Sequence, residues 1–160
     1  DELAEWLRVD GDEYGLTRLA LEVQRHVEMH YGLALIPQAV TCLASGPCQE
    51  VRLPRVPAGA LTSVQEMVDG EAGGDESAEY YVQVGRLYRK GPGRAVGARH
   101  PRRIVYEAGY AKGALPPDLR LALKRAILTH YDHRADVTTG TVVARFPDTA
   151  DAVFRKYGRP

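Results

Sequence analysis

Residues 16–44 read LTRLALEVQRHVEMHYGLALIPQAVTCLA, and the spacing of their apolar side chains changes midway along the stretch. Up to Val27 the apolar residues recur at helical spacing, which predicts an amphipathic helix of about five turns. This helix should close at Tyr31 and Gly32, because glycine readily adopts the left-handed conformation found just after helix ends. Residues 40–44 then alternate between the two faces expected of a strand. The chain therefore combines helices with strands.

Further strand patterns follow in the middle of the chain. Residues 62–68 and 103–106 read as strands, residues 80–84 alternate along one face, and residues 87–88 continue a hairpin. The glycine-rich acidic stretch 69–75 reads as a loop. We predict about four to six short antiparallel strands in this part of the chain.

Both ends of the chain read as helical. Residues 2–8 predict a short helix, and Asp10 or Asp12 is a candidate N-cap for the long helix that follows. Pro117 suits the first turn of a second long helix, because proline has no backbone N–H to lose there. A threonine-glycine break at residues 138–141 then precedes a last short helix.

These elements predict an α+β fold. The N-terminal and C-terminal helices should form a helical bundle, with the antiparallel strands inserted as a hairpin or sheet. At 160 residues the chain has the length of a single domain. We expect helical residues 1–35, a β-rich lobe at 36–110, a helix at 115–135 and a terminal helical segment at 147–158.

The composition narrows the class of protein. Lys and Arg number 21, as do Asp and Glu, which excludes a wholly cationic nucleic-acid binder and an acidic disordered chain. No apolar run approaches the roughly 18 residues of a membrane span, and no signal peptide is evident, so we expect no membrane association. The two cysteines, Cys42 and Cys48, favour a reducing cytosol over a disulfide scaffold.

The charges are segregated along the chain although they balance in total. The acidic segment, residues 66–79, holds six acids and no base. The basic segment, residues 86–103, holds seven bases and no acid. The other interpretation of both segments is that they are solvated loops. The candidate interface residues are Glu66, Asp69, Glu71, Asp75, Glu76, Glu79, Arg86, Arg89, Lys90, Arg94, Arg99, Arg102 and Arg103.

No residue pattern indicates catalysis. The pairs His26 with His30 and His130 with His133 could each place two ligands on one helix face, but neither carries the glutamate of a zinc-protease motif. Residues 91–93 lack the lysine and hydroxyl of a phosphate-binding loop. We therefore predict no catalytic residue, no metal and no cofactor, and a protein that is not an enzyme.

A small nucleic-acid-binding module is one alternative function. Tyr88 lies between Arg86 and the pair Arg89 and Lys90. Basic side chains beside an aromatic ring can bind nucleic acid. Such binding should weaken steeply with salt.

The order of short motifs along nearly the whole chain resembles the head–tail connector (adaptor) proteins of tailed bacteriophages and phage-like gene transfer agents. Each motif is common, and the resemblance lies in their order and spacing. The motifs are Leu7-Arg8-Val9-Asp10, Tyr31-Gly32 with Leu35-Ile36-Pro37-Gln38, Leu53-Pro54-Arg55-Val56-Pro57 with Thr62-Ser63-Val64, Tyr106-Glu107-Ala108-Gly109-Tyr110, Leu115-Pro116-Pro117-Asp118-Leu119-Arg120, His130-Tyr131-Asp132-His133-Arg134 and Phe146-Pro147.

The resemblance implies a structural protein of the particle neck. Such connectors form a ring, usually twelve-fold, beneath the portal protein. The ring extends the DNA channel, contacts passing DNA only weakly, and docks a stopper or other tail-completion protein. A protein of this family would be made in the bacterial cytoplasm and assembled into a virion or phage-like particle.

A closed ring joins one patch on a subunit to a different patch on the next. We expect the acidic segment of one subunit to face the basic segment of its neighbour or of the portal, in a contact that salt weakens. Val153, Phe154 and Tyr157 could dock in a groove on the portal. The other interpretation of this terminal segment is that it caps the protein's own core.

Overall fold

Three helices and seven strands form within the part of the chain that the structure describes. The structure is a computed structural model, and it describes residues 13–46, 48–91, 95–96, 100–132 and 148–158. The predicted helix at 2–8, its N-cap candidates and the predicted break at 138–141 lie outside these residues.

The helices begin and end close to where their sequence signals predict. They are α1 (Glu13–Tyr31), α2 (Pro117–Asp132) and α3 (Asp148–Tyr157). Gly32 ends α1 with a φ of 66°, the left-handed conformation predicted there. None of the helices in the described part is long and apolar enough to cross a lipid bilayer.

The strands alternate with turns between the helices α1 and α2. In chain order they are β1 (Gln38–Ala44), β2 (Glu50–Arg52), β3 (Ala58–Val68), β4 (Glu71–Asp75), β5 (Tyr80–Gln83), β6 (Arg86–Arg89) and β7 (Arg102–Ala108). They pair antiparallel in a four-stranded sheet ordered β1-β7-β3-β4 and a three-stranded sheet ordered β2-β6-β5. The α+β class is thereby confirmed.

Two predictions for the middle of the chain were wrong. The stretch 69–75 is not a loop, because Asp69 and Gly70 form a two-residue turn with φ values of 52° and 88° and residues 71–75 pair with β3. Two positive φ values fit the twist of a tight hairpin, and Asp-Gly is a strong signal for such a turn. Val84 does not continue a strand, because it turns with a φ of 47° instead.

The described residues divide into two compact units, each with its own buried side chains. One unit contains α1, α2 and α3, and the other spans residues 32–114 and contains every strand. Whether the whole chain behaves as a single domain, and whether the helices form a regular bundle, stay predictions.

The helical unit buries the apolar stripe that its sequence predicts. Val23 and Val27 of α1 are 1% and 0% exposed, and Leu119 and Ala126 of α2 are wholly buried. These positions recur at helical spacing, so one face of each helix leaves water while the opposite face stays solvated. Ala150 and Phe154 add the buried side chains of α3.

The strand-rich unit buries one face of its sheets around aromatic and aliphatic side chains. Ile104 and Tyr106 of β7 are wholly buried and pack with Val64, Leu53 and Leu87. The Tyr106 hydroxyl accepts a hydrogen bond from the Arg55 N–H (2.9 Å) and donates to the Arg55 carbonyl (3.1 Å). The ring therefore fills the core while its polar group stays satisfied.

Candidate interaction surfaces

The acidic and basic segments meet inside one chain at Arg102. This arginine begins β7, and its side chain is only 8% exposed. Its Nη1 lies 2.7 Å from Glu66 Oε1, and its Nε lies 3.4 Å from Glu76 Oε2. Because a buried guanidinium needs nearby negative charge, these two carboxylates hold β7 against β3 and the turn after β4.

A second set of pairs fixes the β5–β6 hairpin. Arg89 Nη2 lies 2.6 Å from Glu79 Oε2, and Lys90 Nζ donates to the Ala78 carbonyl at 2.7 Å. The Arg89–Glu79 hydrogen bond is the main reason that the pKa of Arg89 rises above its usual value. These are local contacts between one hairpin and the short turn that precedes it.

The tyrosine of the basic segment is also engaged within the chain. The Tyr88 hydroxyl donates to Glu50 Oε2 at 2.9 Å, and Glu50 pairs through its other oxygen with Arg86. The Tyr88 ring stacks on Tyr81, with 5.3 Å between the ring centroids. Arg86, Arg89 and Tyr88 therefore have partners within the strand-rich unit, which does not favour the nucleic-acid interpretation.

Asp75 acts as a local cap. Its Oδ1 accepts hydrogen bonds from the backbone N–H of Val64 (2.9 Å) and of Ser77 (3.0 Å), and its Oδ2 accepts from the Ser77 hydroxyl. These hydrogen bonds hold the pKa of Asp75 below its usual value, and the bond from Val64 has the largest effect. Asp75 thus fixes the turn between β4 and β5.

The remaining charged candidates differ in accessibility. Asp69 and Glu71 are exposed at the tip of the β3–β4 hairpin, and no ion pair within the described residues engages them. Arg103 donates to the side-chain oxygen of Gln65 across the sheet. Arg94 and Arg99 lie outside the described residues.

The terminal helix packs within its own unit. Phe154 is wholly buried, with its ring centroid 5.2 Å from that of Tyr31. The Tyr157 hydroxyl donates to Asp118 of α2 at 2.8 Å, and Lys156 Nζ lies 3.1 Å from the same carboxylate. Val153 is half-buried. This packing corresponds to the second interpretation of the segment, and docking on a portal through Phe154 would require α3 to leave this position.

The described histidines and cysteines are not gathered into a metal-binding cluster, and His133 of the second histidine pair lies outside the described residues. His26 and His30 stack with ring centroids 5.8 Å apart, and within the described ranges no group of three or more His, Cys, Asp or Glu side chains could hold a metal ion. Cys42 and Cys48 are free and half-buried, and burial raises the pKa of the Cys42 thiol.

One surface was missed at the level of sequence: the open edge of β1. Among the strands that the structure describes, β1 pairs with β7 alone, and its Leu43 is 68% exposed. A shallow groove of about 360 Å³, floored by small residues such as Ala39 and Gly59, lies beside the start of this strand. The sequence shows only that residues 32–49 contain no charged side chain, and this does not reveal that β1 lies at an edge.

Comparison with solved structures identifies the fold. The chain resembles a protein in the neck of an empty gene transfer agent (GTA) particle computed with C6 symmetry, with a TM-score of 0.76 over 98% of this chain and 86% of that one, at 16% identity. It also resembles a chain in the neck of the native GTA particle computed with C12 symmetry (TM-score 0.69, 97% of this chain, 87% of that one, 16% identity).

A third likeness is to a chain in the virion of the native GTA particle, with a TM-score of 0.69 over 94% of this chain and 79% of that one, at 17% identity. No protein-family model and no curated protein matches the sequence. At these identities the likeness establishes a shared fold.

Proposed function

We propose that this protein is a structural head–tail connector in the neck of a phage-like particle. Copies of the chain form a ring, twelve-fold in the particle, beneath the portal protein. The ring extends the DNA channel, contacts DNA weakly, and docks the stopper or next tail-completion protein. The chain is made in the bacterial cytoplasm and acts without catalysis or a cofactor.

One observation carries this proposal: the fold likeness to a GTA neck chain extends over 98% of the residues. A match confined to one hairpin or one helix pair would be compatible with many functions, since folds are reused widely. Here helices and sheets match together. The internal pairing of Arg86, Arg89 and Arg102 adds support, because carboxylates of the same chain already neutralise three of the seven bases in the basic segment.

The proposal includes a charged interface, but one with fewer acidic residues than the sequence predicts. Glu66, Glu76 and Glu79 already pair within the chain, so the acidic contribution to a neighbour falls mainly to Asp69 and Glu71. Both lie at an exposed hairpin tip, where a complementary partner gives orientation and salt sensitivity rather than large affinity.

The test is the mass of the assembled protein in solution, at low and high salt, with and without a candidate portal protein. A ring, alone or on the portal, is the expected result, and electron microscopy of the same sample gives its symmetry. A heated and refolded sample controls for aggregation, since a specific ring should re-form at the same mass.

A monomer that ignores the portal and binds duplex DNA tightly would overturn the proposal. The slope of the logarithm of its DNA affinity against the logarithm of the salt concentration would then give the number of phosphates that it neutralises. Weak DNA binding by an assembled ring agrees with a channel through which DNA must move.

A further inference from the structure

The four-stranded sheet ends in a strand that lacks the usual protection of an edge. β1 has seven residues, none of them charged and none of them proline. Natural edge strands commonly carry lysine, proline or a bulge, which prevent another strand from adding to them. The exposed side chains of β1 are Ala39, Thr41 and Leu43. An open edge of this composition is suited to pairing with another strand.

The register shows which backbone groups point outward from β1. At one end of β7 the Gly109 N–H donates to the Pro57 carbonyl (3.0 Å), and at the other end Met67 donates to the Pro101 carbonyl (2.8 Å). Odd-numbered positions of β7 therefore bond towards β3, and even-numbered positions bond towards β1. The residues of β1 opposite those even positions are Gln38, Val40, Cys42 and Ala44.

The alternate residues of β1, Ala39, Thr41 and Leu43, consequently direct their N–H and C=O groups away from the sheet. Within the described ranges no hydrogen bond is made by these backbone groups. Three donors and three acceptors stand in a row at the edge, which is the pattern that an added strand satisfies.

The opposite edge of the same sheet is β4, which carries a β-bulge between Ala72 and Asp75 but still directs backbone groups outward on either side of it. Ala72 lies opposite Met67, whose N–H bonds away from β4, so the backbone groups of Ala72 point out of the sheet. A Cβ built on Gly74 would meet no atom within 4 Å. Gly74 lies in a β-bulge between Ala72 and Asp75, where β4 has one more residue than the facing stretch of β3, and glycine within a strand often marks such a bulge.

We propose that the β1 edge of one copy pairs with the β4 edge of the next copy, so that one antiparallel sheet continues between neighbouring subunits. Strand direction alternates across β1-β7-β3-β4, so β1 and β4 run in opposite directions. Rotation about a ring axis preserves these directions, and β4 then meets the neighbour's β1 antiparallel. The inference rests on the proposed ring and names its contact.

Matching the outward groups sets Leu43 of one copy opposite Ala72 of the next, and Thr41 opposite Asp75, the next outward position of β4 after its bulge. Within one subunit, Leu43 lies opposite Arg103, Arg103 lies opposite Gln65, and Gln65 lies opposite Asp75. Leu43 and Asp75 are therefore at the same height in the sheet. The proposed pairing of Leu43 with Ala72 is shifted from this alignment with Asp75 by three residues, or about 10 Å along the strand. Strands tilted to the axis of a closed array accommodate such a stagger.

Amide hydrogen exchange on the full chain tests the contact directly. In the assembled protein the amides of Ala39, Thr41, Leu43 and Ala72 should exchange roughly tenfold or more slowly than in the dissociated subunit. The amides of Val40 and Cys42 already bond to β7 and provide the internal control, because their exchange should be slow in both states. Fast exchange at Thr41 in an assembled ring overturns the inference.

Two proline variants with matched controls test the same contact by mass. Thr41→Pro and Ala72→Pro each remove one outward N–H, a change that an edge strand tolerates without losing its inner pairing. Each should abolish ring formation while the melting temperature of the subunit stays near that of the wild type. Thr41→Val and Ala72→Val keep the N–H and should assemble normally.

The outcomes separate this inference from the proposed function. If the wild-type chain never assembles, with or without a portal, the proposed function fails and the inference fails with it. If the wild type and both proline variants form rings, only the inference fails. If Thr41→Pro blocks assembly but Ala72→Pro does not, another strand occupies the β1 edge and the pairing with β4 is wrong.

Discussion

Among single residues, Phe154 holds the terminal helix in the helical unit. Its side chain is wholly buried, and its ring lies against Tyr31 at the end of α1. The Tyr31 hydroxyl donates to Asp151 Oδ1 at 2.6 Å, one turn earlier in α3. Burial and this hydrogen bond raise the pKa of Tyr31 above its usual value. These two contacts tie the ten-residue helix to α1, alongside the contacts of Tyr157 and Lys156 with Asp118 of α2.

Replacing Phe154 with alanine should lower the free energy of unfolding by about 3–5 kcal/mol, the usual range for emptying a wholly buried aromatic site. Equilibrium denaturation measures the change. Val153→Ala is the matched control on the same helix, and its cost should be smaller because Val153 is half-buried. Equal costs for the two variants would show that α3 does not pack as described.

Asp151 should make stability depend on acidic pH. The Tyr31 hydrogen bond and then Arg155 hold its folded-state pKa below the ordinary value of 3.8. A lowered folded-state pKa stabilises the folded state above the unfolded value, and that stabilisation is lost as the pH falls through the folded value.

The difference in melting temperature between the wild type and Asp151→Asn should therefore be largest above about pH 5. It should shrink as the pH falls below the pKa that Asp151 has in the unfolded chain. Thermal melts over a pH series measure it. Glu22→Gln, which removes only an exposed pair with Arg18, should change little at any pH. A difference that does not depend on pH would contradict the assigned role of Asp151.

At the scale of elements, the β5–β6 hairpin turns through a residue that suits the turn poorly. Val84 has a φ of 47° and Gly85 a φ of 69°, and Val84 is 84% exposed. A β-branched residue at positive φ is strained, whereas asparagine and glycine tolerate it. Gly85 is needed, because a Cβ there would lie 2.7 Å from Val56 Cγ1.

Val84→Asn should accordingly raise the free energy of unfolding by about 1 kcal/mol, because it relieves the strain and removes no buried contact. Gly85→Ala should lower it, through both the positive φ and the clash with Val56. Chemical denaturation of the two variants measures both effects. A loss of stability in Val84→Asn would mean that the exposed valine makes a contact that the strain argument omits.

At the scale of the whole molecule, the opposite charges that are separate in sequence are partly joined in space. Arg102, Arg89 and Arg86 neutralise carboxylates of their own chain. Asp69 and Glu71 are left exposed on a hairpin. Charge in this molecule therefore holds its own sheets, and we propose that Asp69 and Glu71 contact a neighbouring subunit.

Two sets of variants separate these uses. Arg102→Met should cost about 2–3 kcal/mol of folding stability, less than the full cost of orphaning buried charges, because Glu66 and Glu76 are 31% and 30% exposed. Asp69→Asn with Glu71→Gln should leave the unfolding free energy unchanged and reduce the salt sensitivity of ring assembly.

Denaturation and solution mass measured on the same samples distinguish the two effects. If the hairpin variant unfolds more easily, Asp69 and Glu71 serve the fold rather than a contact. If Arg102→Met keeps full stability but fails to assemble, Arg102 belongs to an interface between subunits.

Local patterns in the sequence were sufficient for the helices and for the α+β class. The stripe of Leu16, Val23 and Val27 predicts α1, and Pro117 begins α2 where a proline is tolerated. The alternation from Val40 to Ala44 predicts β1. Each signal depends on residues a few positions apart, so no knowledge of the remaining chain is required.

Only the tertiary structure decided which distant groups meet. Arg102 faces Glu66 and Glu76, and Asp75 caps a turn, because the order β1-β7-β3-β4 brings separate segments side by side. The same order leaves β1 and β4 as edges, and no local pattern records which strands lie at an edge. The sequence by itself determined the elements through short-range periodicity, whereas strand order, ion pairing and the open edges depend on contacts between residues far apart in the chain.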